Sequence, residues 1–152
     1  MKEFVKSKYV NLFLRLFLGA FLIYAAQEKI MHVADFAQAI RAYDIIPAGL
    51  STLPAIFLPW IELFCGVLII AGFYTRSSAL IASSLLALFS LNVLIALFRG
   101  LDIDCGCGAS IAGIDKVSWG KILENTLLIV LLLKLNFTER QFLAVDNIHL
   151  KP

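Results

Sequence analysis

The sequence predicts an all-α fold, a polytopic membrane four-helix bundle with a short amphipathic helix in the first outer loop. Three observations predict it. Of 152 residues, 61% are hydrophobic and 16% charged, with mean hydropathy +0.89, whereas a soluble domain is about half apolar and about a quarter charged. The apolar residues come in long runs rather than amphipathic stripes, so lipid is their simplest cover. Four such runs can be drawn, at about residues 10–26, 55–74, 79–98 and 119–135. Each is about 17–20 residues, the length a helix needs to cross ~30 Å of hydrocarbon. Backbone groups cannot go unpaired in lipid, which makes helices the default. The chain reads as a single integral membrane domain over residues 1–152, with no internal repeat and no low-complexity segment.

The first run follows Lys2, Lys6 and Lys8 and contains Arg15. Those lysines look like the basic region of a signal peptide. The run is long enough to span, however, and no small-x-small cleavage site precedes Gln27, so a retained first span is expected. The connection from Gln27 to Pro54 is long. Within it, Asp35 reads as an N-cap with Gln38 three residues on. Val33, Phe36, Ala37, Ile40 and Tyr43 then fall at helical spacing, and Pro47 and Gly49 end the segment. This predicts a short amphipathic helix lying at the membrane surface, with an ordinary ordered loop as the alternative. The second and third runs are separated only by Tyr74-Thr75-Arg76-Ser77-Ser78, a tight hairpin that makes them antiparallel neighbours. Pro59 is expected to kink the second run beside Glu62. Cys65 and Gly66 read as packing residues that let helices approach closely. Trp60 and Trp119 fit the outer aromatic belt.

Orientation follows from the loop lysines and arginines. The side shared by both termini holds seven: Lys2, Lys6, Lys8, Arg76, Lys134, Arg140 and Lys151. The other holds four: Lys29, Arg41, Arg99 and Lys116. Arg15 and Lys121 fall inside helices. Both termini are therefore expected to be cytoplasmic, in the cell inner membrane. The long first loop and the loop between the third and fourth runs would then be periplasmic. The net charge of +2 carries no basic patch with interleaved aromatics, so no nucleic-acid partner is expected. Membrane lipid is the partner that composition implies.

The most informative chemistry is Cys105-Gly106-Cys107, within Arg99-Gly-Leu-Asp-Ile-Asp-Cys-Gly-Cys-Gly-Ala-Ser. Glycines flank and separate the sulfurs and allow unusual dihedrals. A disulfide closed over one intervening residue is a small strained ring, and strained exposed disulfides are the labile, exchanging ones. Asp102 and Asp104 lie just upstream and disfavour the thiolate, so strain rather than a depressed thiol pKa would drive reactivity. A redox-active pair, an inert turn and a metal-binding loop all stay open. Zinc in a structural site wants four ligands. The loop offers two, and His32 and His149 fall on opposite sides of the predicted topology, so no zinc site is expected. Two-coordinate copper(I) on the two thiolates stays open.

Charges at membrane depth are costly and are usually functional or paired. Arg15 and Glu62 both fall mid-helix and are expected to pair across the first and second spans. Both a structural pair that sets register and a quinone, proton or substrate site are compatible with that. Glu28 and Lys29 end the first span, with interface anchoring as the plain reading. Glu124 and Asn125, near the outer end of the fourth span, are within reach of the cysteine loop or of a neighbouring helix.

These residues together resemble a family. Arg15-Leu16 with Gly19, Glu28-Lys29, Pro59-Trp60 with Glu62, Arg76, the Arg99-to-Gly108 stretch, and Val117-Ser118-Trp119 with Asn125 are similar to the DoxX-like membrane proteins. Within them the likeness is to the methylamine-utilisation MauE group, and it covers about residues 10–135. The cysteine loop is its most specific part; Gly108 stands where the family usually has an aromatic. The resemblance implies a four-helix membrane bundle. It also implies a role in maturing the exported, disulfide-rich small subunit of methylamine dehydrogenase. On that footing Cys105 and Cys107 would exchange disulfides with an exported thioredoxin-like protein or disulfide-rich client, and electrons could pass to a quinone near Arg15 and Glu62. A non-catalytic assembly subunit of a quinone-linked oxidoreductase is the second reading. A small-molecule or metal transporter, which would need an oligomer, is the third. Fold alone does not choose among them.

Overall fold

The computed structural model describes residues 8–44, 47, 49–101, 103 and 118–137; Cys105, Cys107, Asp102 and Asp104 lie outside them. All regular structure among the described residues is helical: α1 (Lys8–Met31), α2 (Val33–Ala42), α3 (Thr52–Ala71), α4 (Thr75–Phe98) and α5 (Trp119–Asn136). Helices α1, α3 and α4 are long and apolar enough to cross a membrane. The fourth expected span is also a helix, but its 18 residues include Lys121, Glu124 and Lys134, which lowers its apolarity.

The four long helices form a bundle in which α1 packs mainly along α3 and α4 along α5. Its core takes Leu18 and Leu22 from α1, Cys65 and Ile69 from α3, Ala79 and Ala82 from α4, and Leu128, Leu132 and Leu135 from α5. Outside that core, Phe13, Phe57, Phe64, Leu91, Leu123 and Leu127 point outward, an apolar surface that suits lipid. The hydroxyls of Ser83, Ser84 and Thr126 donate to carbonyls one turn back, of Leu80, Leu80 and Ile122, so they need no water at that depth.

Two glycines set the distance between α1 and α3. A Cβ on Gly19 would stand 2.9 Å from the Gly66 carbonyl oxygen and 2.5 Å from Ile70 Cγ1. A Cβ on Gly66 would stand 2.9 Å from the Gly19 oxygen and 2.8 Å from Ile23 Cγ1. The helices touch backbone to backbone there, which only glycine permits.

Three boundaries differ from the sequence expectation. The first helix runs on to Met31 because its terminal Lys29 finds a partner inside the bundle. The α3–α4 turn falls at Gly72-Phe73-Tyr74 rather than 74–78. Gly72 takes φ 71°, and the amides of Gly72 and Phe73 donate to Ile69 and Leu68, a Schellman closure. Thr75 through Ser78 then form the first turn of α4. Finally, α2 starts at Val33, so Asp35 lies in the first turn instead of capping it, with its carboxylate 3.6 Å from His32 Nδ1. Nor does α2 lie alone on the membrane surface. Its apolar stripe docks on the bundle, with Phe36 and Ala37 against Ala55 and Phe89. The same stripe would suit an interface, and here α3 and α4 cover it.

Substituting Gly66→Ala should lower the apparent melting temperature in detergent, at a cost of about 1–3 kcal/mol for overpacking. Gly49→Ala, where nothing lies within 4 Å of the added Cβ, should leave it unchanged. Equal melting of the two variants would show that α1 and α3 do not approach as described.

Candidate functional site

Two buried ion pairs and a buried amide gather toward one end of this bundle, where α1 finishes, α2 docks and α5 begins, while Asn11, Arg15, Thr75 and Ser78 are buried toward the other end. Lys29, in the last turn of α1, places Nζ 2.8 Å from Glu62 Oε1 and 2.6 Å from Oε2. Both side chains are 3% exposed. Two rings close over the ammonium: Phe89 of α4 with its centroid at 4.8 Å and Phe36 of α2 at 5.6 Å. An ammonium that loses water can recover part of that interaction from ring faces. On α5, Lys121 Nζ lies 3.4 Å from Glu124 Oε2, with side chains 1% and 7% exposed. Lys121 is close enough to Lys29 to act on it electrostatically. The cluster therefore holds two ammonium and two carboxylate groups. Asn125 is also buried and shares with Lys29 and Glu62 a small cavity that Phe21, Leu22, Ala25, Leu86 and Phe89 complete.

This arrangement corrects the expected Arg15–Glu62 pair. In the antiparallel α1–α3 packing, Arg15 lies opposite Ile70 and donates to its carbonyl at 3.3 Å. Ile70 is eight residues beyond Glu62 in α3, about 12 Å along the axis. Glu62 instead meets the other end of α1. Arg15 and Glu62 therefore do not pair with each other. Of the supporting residues, Lys29 proves to be a buried ion-pair partner rather than an interface anchor, while Glu28 beside it is half-buried. Trp119 is exposed at the start of α5. Ser118 caps that helix by accepting from the Lys121 amide at 3.3 Å. Lys121, Phe36 and Phe89 were not expected in the cluster. The i, i+3 spacing of Lys121 and Glu124 is the sequence signal that could have exposed one pair.

The cysteine loop leaves from an anchored stem. Gly100 takes φ 69°, and Leu101 donates to the Ala96 carbonyl at 3.0 Å, ending α4. Arg99 donates through Nη1 to the Tyr43 carbonyl at 2.8 Å and places Nη2 3.7 Å from Asp44 Oδ2. Tyr43 packs on Val93 and Ala96, with Leu101, Ile103 and Ile122 around them. The segment after α2 is thus tied to the first residues of the Cys105–Cys107 stretch. Burial pushes the Tyr43 phenol up to about 12. Among the described residues no group of three or more metal-ligating side chains comes together, and the remaining cysteine, Cys65, is a buried thiol in the core.

Residues 7–137 match the family described as Methylamine utilisation protein MauE. The chain belongs to the MauE family. It is 32% identical over 135 residues to Methylamine utilization protein MauE of Paracoccus denitrificans, covering 88% of this chain and 72% of that relative. The Methylophilus methylotrophus protein of the same name is 32% identical over 70% of this chain. That of Methylorubrum extorquens is 34% identical over 72%. The chain spans only 57% and 59% of those two relatives' lengths. No solved structure matches it. The family match contains both ion pairs and the cysteine loop, and with three helices apolar enough to span it makes this MauE-family chain a membrane protein.

Two outcomes are expected, one from the cluster and one from the stem. Lys29→Met or Glu62→Leu alone should destabilise by about 3–5 kcal/mol, because each leaves a buried charge unpaired, while the double variant should recover much of that loss. Additive losses in a detergent melting series would show that the two groups do not interact. For Tyr43, the unfolded phenol ionises near its usual 10 while the folded one stays protonated to about 12. Its burial therefore stabilises fully below pH 10 and costs stability as pH rises from 10 to 12. Tyr43→Phe should flatten that alkaline decline in a melting-temperature profile.

Proposed function

We propose that this MauE-family chain is an inner-membrane thiol–disulfide redox or maturation factor for exported proteins, with Cys105 and Cys107 as the exchanging pair. The observation that carries the reading is the Cys105-Gly106-Cys107 sequence within a chain of this family. The relatives' shared name, methylamine utilization protein, supports a client in methylamine metabolism, such as the disulfide-rich subunit of a methylamine dehydrogenase, or a thioredoxin-like intermediary. In the exchange, a client dithiol loses two electrons and two protons as its disulfide forms. The Cys105–Cys107 disulfide takes up the same electrons and protons as a dithiol, or the reverse. The anchored stem supports the reading too, because Arg99 on Tyr43 and the packing of Leu101 and Ile103 give a strained ring a firm base. The charge bias of the loops puts both termini in the cytoplasm and the pair in the periplasm.

A second reading, a non-catalytic assembly subunit, is favoured by one observation. Each buried carboxylate of the cluster already faces an ammonium, as a register-setting device would require.

The test is thiol trapping on acid-quenched membranes in a Cys65→Ala background. Wild type should divide between a form that takes up no maleimide and one that takes up two, and reductant should convert the first to the second. Cys105→Ser or Cys107→Ser should abolish the oxidised form and block client maturation. An impermeant maleimide should label the reduced pair on intact spheroplasts. A pair that is always reduced, with silent serine variants, would sink the exchange reading. Tight co-purification of a large dehydrogenase subunit with those silent variants would favour the assembly reading.

A further inference from the structure

The cavity beside the ion pair has a volume of about 10 Å³. Its lining comes from four helices: Phe21, Leu22, Ala25 and Lys29 of α1, Glu62 of α3, Leu86 and Phe89 of α4, and Asn125 of α5. Asn125 is 2% exposed, and its Nδ2 has no hydrogen-bond partner. An amide nitrogen buried this way keeps two N–H donors to satisfy, and native interiors rarely leave such a donor orphaned. Glu62 faces the opposite problem. Both its oxygens accept from Lys29, yet a carboxylate has about four lone-pair positions. A donor without an acceptor and an acceptor with spare capacity therefore line one small space.

Size and polarity decide what fits between them. A purely apolar cavity stays dry, whereas a polar one of about 10–15 Å³ holds one water if two to four groups can bond it. Two such groups are present in Asn125 and Glu62, and the Lys29 ammonium borders the same space. A ring-sized ligand would need the aromatic wall of Phe21 and Phe89 to part. A metal ion would meet one carboxylate already engaged by an ammonium.

We propose that this cavity is a binding site for a single water molecule that accepts from Asn125 Nδ2 and donates to the Glu62 carboxylate. The water joins Asn125 of α5 to the Lys29–Glu62 ion pair of α1 and α3, so that one hydrogen-bonded junction crosses three helices. Asn125 is a positioning residue there: it holds the water, and the water holds the second face of Glu62. The assignment does not depend on the cysteine chemistry.

The test uses the full chain in lipid nanodiscs. Infrared difference spectra between ordinary and ¹⁸O-labelled water should show an isotope-shifted O–H stretch from a water outside the bulk band, and Asn125→Leu should abolish it. The same variant should lower the apparent melting temperature, because the water would lose its donor on α5. A dry cavity predicts the opposite sign. Leucine, with the same branched heavy-atom skeleton, would then remove an orphaned donor, and the protein would melt at the same or a higher temperature. Absence of the isotope-sensitive band in wild type, which needs no variant to fold, would overturn the proposal. So would a saturable rise in wild-type melting temperature with a short-chain benzoquinone that Asn125→Leu removes, since the site would then take a carbonyl ligand.

Discussion

The arrangement of this bundle depends on the contact between Lys29 and Glu62. Two opposite charges held at 2.6 Å with almost no exposure gain strongly from each other in a low-dielectric surrounding, but each has given up its water. The net contribution of such a pair to stability is small or negative, while the penalty for separating it is large. Its effect is therefore on specificity. Any slip of α1 along α3, or any rotation that turned one partner toward lipid, would strand a charge where stranding is most costly. The rings of Phe36 and Phe89 over the ammonium extend that constraint to α2 and α4. One ion pair thereby ties together four of the five helices.

The close approach at Gly19 and Gly66 sets the other coordinate. Lysine and glutamate are long enough to tolerate some variation in helix separation, but two backbones in contact are not. With α1 and α3 brought together at the glycines, the C-terminal end of α1 comes level with Glu62, and Arg15 comes level with Ile70. A second short-range device operates where α4 ends. Gly100 turns the chain, and Arg99 binds the segment after α2, so the stretch that leads into the cysteines starts from a defended position. The junction of charges and the stem of the cysteine loop thus occupy the same end of the bundle, joined through α2 and the first turn of α5.

Membership of the MauE family adds a chemical context to this architecture without altering it. The two features that distinguish the chain, its buried pairs and its Cys-Gly-Cys loop, both fall within the matched residues. They differ in kind. The pairs bring opposite charges together inside the bundle, whereas the two sulfurs lie one residue apart in sequence.

The sequence by itself determined the solvent, the number and type of helices, and the close packing at Gly66. These are local properties. Composition and run length decide that lipid must cover the chain, and backbone hydrogen bonding in lipid decides that it must be helical. The Cys105-Gly106-Cys107 spacing is likewise a local property of adjacent residues, and it lies outside the described residues. Boundaries were less legible where a single glycine such as Gly72 decided where a helix ends. The pairing of charges was not legible at all. Arg15, Lys29 and Lys121 are each a basic residue in a helix, and nothing local says which one Glu62 will meet. That choice depends on the register of helices distant in sequence, and only the tertiary contact between their backbones decides it. The same contact gathers Asn125, Glu62 and Lys29 around one cavity.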